Sequence, residues 1–297
     1  MLKRLTKNIF YFPFGENDRP TLAAISGSQH TLLVDAGNSP DHANLFLSSL
    51  SKYDLSPIRY AVLTHWHWDH SFGLSAINAT SLAHKKTVEK LMELMQLDWD
   101  DEAINNRVQG GTENIFVRDM IKQEYPDPHR KISIRTPEIA FTREIGIRLG
   151  KIQCLIEHVG GDHSPDSSVV IIPEDNVVFI GDCLYPNPYR NVEYTSQNLF
   201  PLIKRLLSYD VDLYIASHAT PMSKKNFQQK CQLLQEIGSL VRKYKNKNAE
   251  IIKKLKNKAI KEEISINKPW IEEMNYIINA FQAGLDNNEK NPNYSWK

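Results

Sequence analysis

Residues 59–70 read RYAVLTHWHWDH, an apolar run that passes directly into three histidines and one aspartate within six positions. The run 59–64 has the composition of a buried strand. A core could accept residues 65–70 only by hydrogen-bonding three imidazoles and a carboxylate, which is costly to arrange. Alternation along the extended chain sends His65 and His67 to one side. Asp69 and His70 come next, as the chain turns into a short helix over 71–77. Neutral imidazole nitrogens and carboxylate oxygens are the usual ligands of Zn²⁺ and similar ions. The fold must therefore end a strand where further donors gather, because six residues cannot surround two metals. Candidates stand at later strand ends: His163 in HVGGDHSPDS, where Gly160-Gly161 allows a tight turn, Asp182 in VVFIGDCLY and His218 in LYIASHATP.

The rest of the first 220 residues alternates short apolar runs with polar turns. Strands are expected over 8–12, 21–26, 31–35, 80–84, 139–142, 145–149, 152–158, 168–172, 177–180 and 212–217. Ser39 followed by Pro40 marks a helix start, with Leu45, Leu47 and Leu50 as its apolar face. Residues 198–208 are expected to be helical. Residues 85–131 interrupt the pattern: they have helical period, with Val88, Leu91, Leu94 and Met95 on one face, and read as a helical insert. From about Ser223 three helices are expected, over 225–244, 249–263 and 269–283, with Pro269 at a helix start. Trp270, Ile271, Met274, Ile277, Ile278 and Phe281 share a wide apolar face on the last. These helices are candidates for packing on the main domain or for forming a homodimer.

Composition excludes several classes. A chain of 297 residues, 41% hydrophobic, can bury a large core and is not disordered. Lys+Arg number 36 against 35 Asp+Glu, a net charge of +1 that gives no global pull toward nucleic acid. The charge is uneven: 15 basic and 8 acidic residues lie from Ser223 onward, leaving 21 and 27 before it. Lys253, Lys254, Lys256, Lys258 and Lys261 read as a solvated helix face. No apolar run approaches the roughly 20 residues of a membrane span, and the first 20 residues lack a signal-peptide pattern. A cytoplasmic protein with no membrane partner is expected. Cys154, Cys183 and Cys231 are too few and too irregularly spaced for a disulfide framework.

The ordered set of motifs resembles the metallo-β-lactamase superfamily, with H-x-H-x-D-H, a distant His, a Gly-Asp after a strand and a final His. The LLVDAG at 32–37 is similar to that family's first motif, and the resemblance spans roughly residues 8–222. It implies an α/β fold, a four-layer αββα sandwich, here with the insert at about 85–131 and a helical C-terminal extension over 223–297 beyond the 1–222 domain. It implies two divalent metal ions, Zn²⁺ by default and Mn, Fe, Co or Ni as alternatives. His65, His67 and His163 would hold one metal. Asp69, His70 and His218 would hold the other, and Asp182 would bridge them. Asp35 would fix the loop from outside the ligand set. Asp69, Asp182 and Tyr185 are the expected catalytic residues. Asp69 would orient a bridging hydroxide or pass on its proton, and Tyr185, three after Asp182, resembles the tyrosine with which N-acyl homoserine lactonases contact the substrate carbonyl.

The implied activity is hydrolysis of an ester, lactone, thioester or amide of a small molecule. Phosphodiester cleavage is a weaker expectation, since no added nucleic-acid domain is visible. A mono-iron oxidoreductase resembling the persulfide dioxygenases and a metal-stabilised binding module without catalysis are the remaining alternatives. Cys183 lies one step past the position where classical β-lactamases use a cysteine ligand, and is expected to be packed. Trp66 and Trp68 are candidates for the pocket mouth or for packing on the insert. Asp162 and Asp166 are expected to form turns.

Overall fold

The computed structural model describes residues 1–189, 192–261 and 264–290, with side chains to residue 285. Contacts divide the chain into two compact units. The first comprises residues 1–160, 164–183 and 210–224; the second comprises 161–163, 184–209 and the chain from Lys225.

The first unit is built on two sheets. One has the order β1 (Lys3–Arg4), β2 (Ile9–Phe12), β3 (Leu22–Ser26), β4 (Thr31–Val34), β5 (Ile58–Val62), β6 (Thr80–His84), β7 (Ile139–Phe141). Its strands pair antiparallel as far as β4 and parallel from β4 to β7. The parallel steps need crossovers. These are α1 (Pro40–Leu50), then α2 (Trp68–Ser71) with its 3₁₀ continuation Phe72–Ala76, then the insert. The insert forms α3 (Lys85–Leu94), α4 (Asp101–Gln109) and α5 (Ile115–Glu124). The second sheet takes β8 (Glu144–Arg148), β9 (Gln153–His158), β10 (Ser168–Ile172), β11 (Val177–Gly181), β12 (Leu213–Ala216) and β13 (Met222–Ser223), adjacent in that order. Only β11 and β12 pair parallel. The two-residue β13 is outside the expected set, because nothing so short carries a period.

A single core joins the two sheets. Ile9, Ile25, Leu32, Val34, Val62 and Leu82 of the first pack with Cys154, Ile156, Val170, Ile172 and Phe179 of the second. Each fully buried aliphatic side chain contributes about 1.5–3 kcal/mol. The strand TLLV of β4 is buried on both faces, which is why it reads as a continuous apolar run rather than an alternation.

Two helix faces differ from expectation. Ser39 does cap α1, its Oγ accepting from the His42 amide at 3.0 Å. However, the inward stripe is His42, Ala43, Phe46 and Leu50, and Leu45 is 47% exposed. Residues 42, 46 and 50 share one side at i, i+4 spacing; counting only apolar residues rotates the stripe. In α3 the inward side chains are Thr87, Leu91 and Leu94, while Met95 is 48% exposed.

The second unit contains α6 (Ser196–Leu207), α7 (Lys224–Tyr244), α8 (Asn248–Lys261) and α9 (Lys268–Lys290). The expected end of α8 at Glu263 lies outside the described residues. The helix expected to end at residue 283 continues to Lys290. On α9, Met274, Ile277, Ile278 and Phe281 are buried, whereas Trp270 and Ile271 are only half-buried. Among the described residues no helix is long and apolar enough to cross a membrane, and the three cysteines are free and buried.

Candidate metal centre

Five of the seven expected donors stand just past a strand or in a turn beside one. His65 and His67 follow β5, His163 lies between β9 and β10, Asp182 follows β11 and His218 follows β12. Asp69 and His70 lie in α2, one turn beyond the two histidines of the same motif. Backbone bonds hold these ends together. The Ser168 amide donates to the Thr64 carbonyl at 2.8 Å, the Ser217 amide to Gly181 at 3.2 Å and the Ala36 amide to His70 at 2.9 Å. Gly181 has φ +53, and a Cβ there would stand 3.0 Å from Thr64 Oγ1. A side chain at 181 would thus crowd the turn that presents Asp182.

Two groups of donor atoms result. His65, His67 and His163 form one, all buried, and Asp69, His70, Asp182 and His218 form the other; within each group the atoms lie within 4.8 Å of one another. In the second group His70 Nε2 stands 3.0 Å from Asp69 Oδ2 and 3.4 Å from Asp182 Oδ2. His218 Nε2 stands 3.2 and 3.5 Å from the same two oxygens.

Tautomers fixed from outside make these groups fit divalent metals. Asp35 Oδ1 accepts from the Thr64 amide at 2.7 Å, and its Oδ2 accepts from Thr64 Oγ1 at 3.0 Å. Asp35 Oδ2 also stands 2.8 Å from His70 Nδ1. A carboxylate only accepts, so His70 Nδ1 carries a proton, which leaves Nε2 as the atom able to offer a lone pair to a cation at the centre. The Thr64 hydroxyl has given its one proton to Asp35, so it accepts from His65 Nδ1 at 3.1 Å, and His65 too keeps Nε2 bare. His163 Nδ1 donates to the Pro186 carbonyl at 3.2 Å, with the same result. His70 Nε2 is buried without a hydrogen bond of acceptable geometry although carboxylate oxygens surround it. A lone pair among acceptors is repulsive unless a cation lies between them. Asp35 therefore orients from outside the donor set, as the family resemblance implies, and does so from left-handed backbone at φ +59.

The electrostatics agree. Burial alone would raise Asp69, but His70 and His218 beside it hold its carboxyl far below the usual range. Asp182 behaves alike, with burial opposed by His218 and His70. Burial would lower His70, and Asp69, Asp35 and Asp182 more than offset it. His218 is raised to about 10 against burial, Asp182 being the largest opposing influence. The carboxylates that favour a proton on these rings favour a metal cation equally.

The remaining candidates have defined places. Tyr185 is half-buried, its ring centroid 6.3 Å from that of His163 and 5.7 Å from Lys230 Nζ. Cys183 is packed, 1% exposed, and burial pushes its thiol up. Trp68 is buried against Phe72, which in turn meets Trp99. Trp66 is half-exposed beside His67, with Lys90 Nζ 5.4 Å from its ring centroid. Asp162 accepts from the Thr195 amide and hydroxyl and from Asn198 Nδ2, each at 2.7 Å, at the start of α6. Asp166 is buried and accepts from Thr87 Oγ1 at 2.7 Å and from Ser164 Oγ. The latter two do more than shape a turn, since they tie it to distant residues. Sequence reasoning passes over Asp18, whose Oδ1 stands 3.9 Å from His218 Nδ1. Burial and then Asp69 push Asp18 up to about 7, with His218 pulling the other way. The only signal for it is the turn-forming Asn-Asp pair at 17–18.

A family model described as the metallo-beta-lactamase superfamily matches residues 21–218. Over 223 residues the chain is 22% identical to the 2,4-dinitroanisole O-demethylase subunit alpha of Nocardioides sp. (strain JS1661); the match covers 71% of this chain and 56% of that protein, so it spans just over half of that relative's length. Among solved structures, a metallo-beta-lactamase from Pontibacter korlensis matches with a TM-score of 0.52 at 17% identity, over 79% of this chain and 98% of that one. The DIM-1 metallo-beta-lactamase matches with a TM-score of 0.54 at 15% identity, over 78% and 95%. At such identities the likeness to solved structures speaks for the fold alone.

Proposed function

The chain belongs to the metallo-beta-lactamase superfamily, and from that premise we propose that it is a metal-dependent hydrolase of a small molecule, cleaving an ester, lactone, thioester or amide. One observation carries the reading: seven side chains, six of them buried, converge as two donor groups, with a proton held on Nδ1 of His65, His70 and His163 so that Nε2 is the atom left for a metal. In this reading His65, His67 and His163 would hold one divalent ion, and Asp69, His70, Asp182 and His218 would hold the other. The ions, Zn²⁺ first and Mn, Fe, Co or Ni as alternatives, would supply Lewis acidity, making water nucleophilic near neutral pH and polarising the scissile carbonyl.

The chain's own residues do the rest. Asp69, beside His70 and His218, would orient the attacking water and relay its proton to the departing atom of the substrate. Tyr185, beside His163, donates its hydroxyl proton to the oxygen on which negative charge develops. The half-exposed Trp66 offers an apolar wall to the substrate. The O-demethylase relative favours one second reading, cleavage of an aryl methyl ether.

The test is a set of initial rates on Zn²⁺-loaded protein with an acyl lactone, a β-lactam, a glutathione thioester, a phosphodiester and an aryl methyl ether. Turnover of one class is expected, abolished in Asp182→Ala. Asp69→Asn, compared with wild type at matched metal occupancy, is expected to lose about 10²–10⁴-fold, and an unchanged rate at that occupancy would remove Asp69 from the proton transfer. Two bound metals with no turnover of any class would sink the hydrolase reading in favour of a binding module. One iron per chain would favour the oxidoreductase.

A further inference from the structure

Asp18 lies in a turn where two consecutive non-glycine residues, Asn17 and Asp18, have φ +55 and +57. Left-handed backbone is tolerated by Asn and Asp but persists in sequence only where neighbours hold it. The holding group comes from the helical insert. Glu124, the last residue of α5, has a side chain only 2% exposed. Its Oε1 accepts from an Arg19 NH2 group at 2.8 Å, and its Oε2 accepts from Arg19 Nε at 3.2 Å and from Asn17 Nδ2 at 3.3 Å. Ser39 Oγ, the cap of α1, donates to Glu124 Oε1 at 2.5 Å. From the other side Asn38 Nδ2 donates to the Asn17 carbonyl at 2.8 Å, and the Tyr125 hydroxyl donates to the Asn38 carbonyl at 3.1 Å. Residues on both sides of Asp18 are thus clamped by a carboxylate more than a hundred positions away.

The clamp presents Asp18 to the nitrogen of His218 that faces away from the donor group. His218 Nε2 looks toward Asp69 and Asp182, and Nδ1 looks toward Asp18 Oδ1 at 3.9 Å. The Thr21 amide, donating to the Ser217 carbonyl at 2.7 Å, ties the far end of the same loop to the residue before His218. The arrangement repeats in looser form the pairing of His70 with Asp35. An outer carboxylate orients a ligating imidazole and raises its basicity.

We propose that the insert, through Glu124, holds the 17–19 turn so that Asp18 acts as the outer carboxylate partner of His218, a positioning residue for one metal of the pair. This rests on the reading of His218 as a metal ligand. It assigns the insert a role in the centre itself, apart from any contact with substrate.

Zn²⁺ titration of the full chain against a competing chromophoric chelator tests it. The wild type is expected to take up two equivalents. Asp18→Ala is expected to weaken one of them about 10–100-fold and leave the other unchanged. Asp18→Asn, which keeps an acceptor for Nδ1–H, is expected to recover part of the loss, and Glu124→Gln to weaken the same equivalent. Unchanged affinity for both equivalents in Asp18→Ala, or equal weakening of both, overturns the proposal. So does Glu124→Gln with wild-type binding. A purely structural role for the turn would lower the thermal stability of the metal-free variants and leave the two equivalents unseparated, which also overturns it. If the wild type itself takes up fewer than two equivalents, the dinuclear reading fails first, and the proposal fails with it.

Discussion

At the scale of single residues, one carboxylate governs much of the centre. Asp35 meets Thr64 twice and His70 once, and through Thr64 it sets the proton of His65. Replacing it with Asn leaves the size unchanged but offers one acceptor oxygen where two are in use. Its amide nitrogen would present donors to groups that themselves donate. Asp35→Asn is therefore expected to weaken metal binding about 10–100-fold with little loss of fold, measured by the same chelator competition. Wild-type affinity in that variant would show that His70 is oriented by its packing instead. LLVDAG points to Asp35 in the sequence, because the family resemblance implies a loop-fixing residue there. That it acts on His65 through a threonine was not legible, since the contact depends on where β4 and β5 end relative to each other.

At the scale of an element, α1 shows what pattern reading captures and what it misses. The cap was legible because capping is local: Ser39 lies three residues before the amide it satisfies. The stripe was not, because an inward residue is a histidine. His42 is fully buried, neither ring nitrogen has a hydrogen-bond partner, and it lies against Phe12, with Phe12 in turn against Phe46. Burial, with Arg19 next, lowers its pKa to about 4. A base depressed below its unfolded value of 6.5 stays neutral in the fold. Its contribution is complete above pH 6.5 and is lost as pH falls toward 4, because the unfolded chain then binds the extra proton. The span corresponds to about 3 kcal/mol as an upper figure. Urea midpoints at pH 7 and pH 4.5 should draw together in His42→Leu relative to wild type. An equal acid sensitivity in both proteins would place the loss elsewhere.

At the scale of the whole molecule, the donors come from separate strand ends, and metals bound there would link segments as far apart in sequence as His65 and His218. Binding confined to the folded state stabilises it by mass action. Free Zn²⁺ at 100 times its Kd is expected to add about 2.7 kcal/mol for each occupied site, read as a rise in Tm that Asp182→Ala largely removes. An unchanged melting curve for wild type in saturating Zn²⁺ would mean that the donor groups do not bind it. The boundaries of the strands from β2 to β12 were legible to within a residue or two, because period-two burial and turn residues are properties of the local chain. The pairing order was not legible, because it depends on contacts between strands far apart in the chain.

Taken by itself, the amino-acid sequence determined the strands, the first helix cap and the order of seven metal-type donors. Those depend on side-chain type and on spacings of two to four residues. Only the tertiary structure decided which ring nitrogens of His65, His70 and His163 are held from outside, which helix faces are buried, and that Asp18 stands beside His218 in a turn held by Glu124. The reason is physical. A tautomer is set by whichever acceptor the fold brings to the other ring nitrogen, and that acceptor lies 23 positions away for His163 and 35 for His70. A carboxylate at the end of an inserted helix can hold a turn 105 positions earlier only after the chain has folded around both.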